Sequence, residues 1–188
     1  MKKEQLMRLI HMMRLKCIRS GWKKAEYLKR KHVFHEMGEH CYYHPSKLPA
    51  EPHLIKMGDN VFIGSGVHLI THNMVNCVFN NMSDHLIDNG KGNPIVGTIQ
   101  IGNNVFIGIN ASVMYGVTIG NNCIIGAGAV VTRNVCDGEV VGGVPGKVIG
   151  TFEELFEKYV SFNQDFRGNT LEINGTLWEK QMKYFWKD

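Results

Sequence analysis

From Ile101 onward an aliphatic residue returns at every sixth position: Ile101, Ile107, Val113, Ile119, Ile125 and Val131. Four positions after each stands a small or branched residue (Val105, Ala111, Val117, Cys123, Ala129, Val135), and Gly102, Gly108, Gly120 and Gly126 directly follow aliphatic positions. A six-residue period cannot keep to one face of a helix with 3.6 residues per turn. It suits short strands whose alternate side chains point inward, separated by tight corners. The pattern therefore predicts a coil of stacked hexapeptides, each forming one side of a triangular turn. Gly58-Asp59-Asn60, Gly102-Asn103-Asn104 and Gly120-Asn121-Asn122 supply corner residues that tolerate positive φ or bond locally to backbone.

The same register recurs upstream at Met57, Ile63 and Leu69 with Val61 and Val67, and weakly at Met37-Gly38 with Cys41 and Tyr43. Pro49 to Pro52 disturbs it. Between Met74 and Pro94 the repeat gives way to a polar loop, and loops of that length in a compact domain are usually functional. Ahead of the coil, Leu6, Leu9, Ile10, Met13 and Cys17 fall at helical spacing among lysines and arginines. They predict one or two amphipathic helices, broken near Ser20-Gly21, whose apolar stripe packs on the coil or on a neighbouring subunit. After the coil, Thr151 to Glu154 reads as a capping box opening a helix to about Tyr159. The aromatic tail with Trp178, Tyr184, Phe185 and Trp186 is expected to pack on a neighbour or on the coil. The expected organisation is a helical segment at 1–32, a β-helix at 33–150 with its loop at about 74–94, and a C-terminal helix and tail at 151–188.

Composition narrows the function classes. A chain of 188 residues holds one domain with small appendages, and its 21 glycines are accounted for largely by the repeat. The net charge is only +4, with basic residues crowded into the first thirty positions, so no continuous stripe for nucleic acid exists. That crowding does suggest weak association with an anionic membrane surface. Five cysteines, odd in number and without a CxxC pair, point to a reducing cytoplasm rather than a disulfide framework. No signal-peptide core and no run of roughly 20 apolar residues is present, so a soluble, unexported protein is expected.

The segments IGNNVFIG (101–108), GVTIGNNCIIGAGAVVTRNV (116–135) and GGVPGKVIG (142–150) resemble the hexapeptide-repeat acetyltransferases, especially those acting on sugars: galactoside, maltose and polysaccharide acetyltransferases. The likeness covers about three quarters of the chain. It implies a mainly β fold, a left-handed parallel β-helix that departs from the usual right-handed crossover preference. It also implies a homotrimer with acetyl-CoA lying between adjacent subunits.

Acyl transfer from a thioester needs a base to take the acceptor's proton, a task suited to histidine. His72, in Leu69-Ile70-Thr71-His72-Asn73, stands at an outward corner just before the long loop, where the family places its catalytic histidine. Polysaccharide-type relatives commonly carry Asp where this chain has Asn73, so a carboxylate that orients the imidazole must come from elsewhere. Glu51, about one coil earlier, is the first candidate. His44, Asn73 and His85 are candidates for the acceptor. The family pattern carries cofactor contacts over to Ile109, Ala127, Thr132, Arg133 and Lys147, the last two for phosphate groups. Ile109 and Gly150 depart from polar residues found in some relatives. β-Helical carbonic anhydrases bind zinc through three histidines, but all nine histidines here precede Pro94, so no metal is expected. The leading expectation is acetyl transfer from acetyl-CoA to a saccharide hydroxyl. N-acetylation of an amino sugar or antibiotic, and a non-catalytic trimeric scaffold, are the alternatives.

Overall fold

The structure is a computed structural model that describes residues 3–82, 92–171 and 173–186. It comprises two compact units, Met1–Ile149 and Gly150–Asp188. The first opens with α1 (Lys3–Cys17) and α2 (Gly21–Arg30), separated at Ser20, whose hydroxyl caps α2 by accepting from the Lys23 amide.

Beyond α2 the hexapeptide corners dictate the architecture. From Ile55 to Val131 successive strands visit three sheets in turn and return to the first one strand further along, interrupted by a separate antiparallel pair, His72–Asn73 with Ile95–Val96. The first sheet stacks β1 (Glu36–Met37), β3 (Ile55–Met57), β8 (Ile99–Ile101) and β11 (Thr118–Ile119). The second stacks β2 (Tyr42–Tyr43), β4 (Val61–Ile63), β9 (Val105–Ile107), β12 (Cys123–Ile125), β14 (Glu139–Gly142) and β15 (Lys147–Thr151). The third stacks β5 (His68–Leu69), β10 (Ser112–Val113) and β13 (Val130–Val131). Register is direct: Val61, Val105 and Cys123 align, as do Leu69, Val113 and Val131. Every inward position named from the repeat is buried, from Ile101 to Val135. Full burial of a Val or Ile stabilises by about 1.5–3 kcal/mol, so this column is the main source of cohesion. The weak upstream repeat at Met37 and Tyr43 also forms strands with buried side chains.

One apolar feature sits differently from expectation. Leu6, Leu9, Ile10 and Met13 on α1 are 43–60% exposed; among the described residues of α1, Leu15 is buried instead and Met12 packs partly against the core. The predicted α1 stripe therefore does not pack on the coil. It is α2 that docks: Gly21 lies against the Tyr42 ring, where a Cβ would come within 2.4 Å, and Trp22 meets Tyr42 edge-on. Outside the second sheet, Tyr42, Phe62 and Phe106 stack in a ladder.

In the second unit the capping box forms, with Thr151 and Glu154 exchanging bonds at 3.1 and 3.2 Å. The helix it opens, α4 (Phe152–Leu171), runs well past Tyr159. The aromatic tail, expected to pack on a neighbour or on the coil, contains α5 (Leu177–Phe185), opened by a second capping box between Thr176 and Glu179. Tyr184 and Phe185 fold back on Phe162 and Phe166 of α4, and the Tyr184 hydroxyl donates to Asp165. Tail and helix thus satisfy each other's aromatic faces.

Candidate active site

After Leu69 the chain leaves the coil through Ile70 and Thr71. His72 then lies not on a bare corner but on β6 (His72–Asn73), paired antiparallel with β7 (Ile95–Val96). The excursion expected between Met74 and Pro94 contains α3 (Asn76–Phe79), and His85 with Asp84 lies outside the described residues. Backbone bonds fix the approach to the histidine: the Ile70 amide donates to the Val113 carbonyl and the Gly97 amide to the Thr71 carbonyl.

Glu51 sits just before a 3-10 turn (Pro52–Leu54) that leads into β3, and its carboxylate reaches across to this segment. Glu51 Oε2 accepts from the Thr71 hydroxyl and lies 2.9 Å from His72 Nδ1. Both partners are about one-third exposed. Burial works to raise the Glu51 carboxyl, but hydrogen bonds from Thr71 and His72, then the charges of His72 and His53, outweigh it. The net result is a carboxylate held below its ordinary range. An imidazole that donates Nδ1–H to such a carboxylate keeps its lone pair on Nε2, the arrangement of an oriented proton acceptor.

Thr71 is buried and carries no charge. Its role was not readable, because a threonine at that repeat position also suits an inward corner. Asn73 is used locally: its Oδ1 accepts from the Val75 amide and its Nδ2 donates to the Tyr115 hydroxyl. A cleft of about 430 Å³ opens beside His72 and brings His44 and His68 to its wall. Lys24 of α2 also lines it, donating from Nζ to the His44 carbonyl (2.7 Å) and the Ser46 hydroxyl (2.9 Å). In the sequence Lys24 merges with a basic helix. Its spacing with Gly21, Ala25 and Leu28 was the available sign that it lies on the buried face of α2.

The candidate cofactor residues flank the third sheet. Ile109 and Ala127 occupy equivalent corners on successive turns of the coil, linked by the Gly128 amide donating to the Ile109 carbonyl. Gly108 allows that stacking, since a Cβ there would lie 2.6 Å from the Ala127 nitrogen. Thr132 and Arg133 follow β13 at the opposite end of that sheet. Lys147 lies next to Gly146, whose amide donates to the Val130 carbonyl. All five are exposed. Among the described residues, no group of three or more His, Cys, Asp or Glu side chains converges as a metal site would.

Residues 98–133 match the bacterial transferase hexapeptide model (six repeats). That stretch thus carries a hexapeptide repeat of the bacterial transferase type. The chain is 46% identical over 121 residues to Protein CapG of Staphylococcus aureus, a stretch covering 64% of this chain and 66% of CapG. It thus spans just under two thirds of that relative's length. It is also similar to a galactoside acetyltransferase solved in complex with coenzyme A, at 28% identity and a TM-score of 0.60, covering 82% of this chain and 84% of that one. A maltose O-acetyltransferase from Clostridium difficile 630, at 21% identity and a TM-score of 0.54, shares the fold over 80% of this chain and 89% of its own.

Proposed function

We propose that this chain is an acetyltransferase that moves an acetyl group from acetyl-CoA to a hydroxyl of a saccharide. The observation that carries the reading is the Glu51–His72 pair at the edge of the cleft. In the proposed reaction His72 Nε2 takes the acceptor hydroxyl proton as its oxygen attacks the thioester carbonyl. The tetrahedral intermediate collapses with cleavage of the C–S bond, and the imidazolium returns the proton to the departing CoA thiolate. Glu51 steadies the imidazolium between these transfers.

The similarity to a galactoside acetyltransferase bound to coenzyme A supports both the donor and a sugar acceptor. Arg133 and Lys147, both exposed, are suited to phosphate, and the close corner stacking of Ile109 and Ala127 offers a narrow shelf for a pantetheine arm. On the resemblance carried by the repeat motifs, we take the coil as left-handed and the active assembly as a homotrimer with acetyl-CoA between subunits. A cytoplasmic setting, where acetyl-CoA is supplied, agrees with the five free cysteines.

The test is thiol release from acetyl-CoA across a panel of sugars and amino sugars, with the product linkage read by mass spectrometry and alkali lability. His72→Ala should lower turnover by at least about 10²–10⁴-fold while acetyl-CoA binding, measured by calorimetry, persists. Retained turnover would remove His72 as the base. An alkali-stable amide product would reassign the acceptor to an amine, and wild-type protein with neither turnover nor CoA affinity would leave a scaffold.

A further inference from the structure

Lys24 is only 6% exposed, yet its two partners among the described residues, the His44 carbonyl and the Ser46 hydroxyl, are both uncharged. An ammonium has three N–H donors, and the two identified acceptors are a carbonyl and a hydroxyl, which leaves one donor without an identified partner. The ion pairs among the described residues are Lys29–Glu39, Lys56–Glu36 and His72–Glu51, so Lys24 belongs to none. The cleft it lines holds Lys47, His44, His68 and His72 as well, and among the described residues its lining contains no carboxylate. Glu51 is turned toward His72 from a neighbouring cleft that also carries Arg8, His11, Lys31 and His53.

A cation buried without a counter-charge is costly to the fold, and such charges are normally paired or neutralised. Burial indeed pulls the Lys24 pKa below the ordinary lysine value. The cleft is large enough for one sugar residue with its substituents, at the low end of the range of about 300–1,000 Å³ for small-ligand sites. We propose that Lys24 reads the acceptor, and that the acceptor is a saccharide carrying a carboxylate or phosphate group, which supplies the missing counter-charge beside His72. This rests on the saccharide acetyltransferase reading above and names the acceptor class within it.

Matched pairs test it: D-glucuronate and D-galacturonate against glucose and galactose, and the 6-phosphates of both sugars against the same neutral partners. Binding is measured by calorimetry without acetyl-CoA, and kcat/KM separately with it. A failure of acetyl transfer is thereby distinguishable from a failure of anion recognition. Wild-type protein should favour an anionic member over its neutral partner by about 10–100-fold, the range of one hydrogen bond to a charged group. Preference for the uronates assigns a carboxylate, and preference for the sugar phosphates assigns a phosphate.

Lys24→Met should bring that ratio close to one, and Lys24→Arg should keep it well above one. A merely structural Lys24, tying α2 to the segment at His44 and Ser46, would lower both members of a pair alike and leave the ratio intact, which overturns the proposal. Should Lys24→Met fail to fold, the wild-type pairs still decide: no anionic preference in binding or in turnover overturns it equally.

Discussion

Glu51 Oε2 receives two donors, the Thr71 hydroxyl and His72 Nδ1, and this sharing explains why its carboxyl stays ionised despite partial burial. A carboxyl whose folded-state pKa lies below its unfolded value adds stability that is fully present above the unfolded pKa. That stability is lost as pH falls through the folded pKa. Glu51→Gln should therefore be less stable than wild type at neutral pH in urea titrations. The gap should close on acidification below the ordinary carboxylate range, where the wild-type side chain is itself protonated. A gap that persists unchanged at low pH would mean that Glu51 acts through packing. The same variant should lower kcat by about 10–100-fold with acetyl-CoA affinity kept, because a neutral amide no longer compensates the imidazolium. His72 and Glu51 were legible as candidates from the end of the repeat and from one turn of coil earlier. Thr71 and Lys24 were not, since a threonine at a corner and a lysine in a basic helix each have a commonplace reading that only burial and partners can displace.

At the scale of elements, the corners hold the coil in register as firmly as the strands do. Asn60, Asn104 and Asn122 all adopt φ near +55° and pass side-chain amide bonds along the stack, Asn60 to Asn104 at 2.9 Å and Asn104 to Asn122 at 2.8 Å. Asn104→Ala removes both links and places a Cβ residue without local bonding in the left-handed region, at about 1–2 kcal/mol. Asn104→Gly loses the links but not the conformation, so urea midpoints should rank wild type, then Gly, then Ala. The reverse order for the two variants would show that the left-handed backbone does not penalise alanine there, whereas the ladder is read from the gap between wild type and Asn104→Gly. These corners were readable because glycine and asparagine recur at a fixed interval within a few residues. The hairpin of β6 with β7 was not, because its two-residue strands are separated by a polar excursion and show no alternation of their own. The extension of α4 and the existence of α5 were missed for another reason. Aromatic residues near a chain's end read as surface-seeking patches, although Thr176 and Glu179 repeat the capping spacing already recognised at Thr151 and Glu154.

For the molecule as a whole, the first unit leaves apolar side chains in solvent that a coil of this kind does not need to expose. Leu6, Leu9, Ile10 and Met13 form one stripe on α1, and Val144, Val148 and Ile149 stand out near the last turn of the coil. Contiguous exposed apolar surface marks contact with another macromolecule or a membrane. The proposed homotrimer commits these surfaces to a second copy of the chain, and it also puts acetyl-CoA between subunits. Assembly and cofactor binding should then fail together. Sedimentation equilibrium should give three times the 21.3 kDa of one chain, and Leu9→Asp, which places a carboxylate in the α1 stripe, should shift the mass toward the single chain. Where that shift occurs, acetyl-CoA affinity should fall with the trimer fraction, although Leu9 is not among the candidate cofactor contacts. A single chain that binds acetyl-CoA with undiminished affinity would refute the shared site. A wild-type single chain that instead co-sediments with anionic liposomes at low salt would transfer the α1 stripe, with its flanking lysines and arginines, from a subunit interface to a membrane surface.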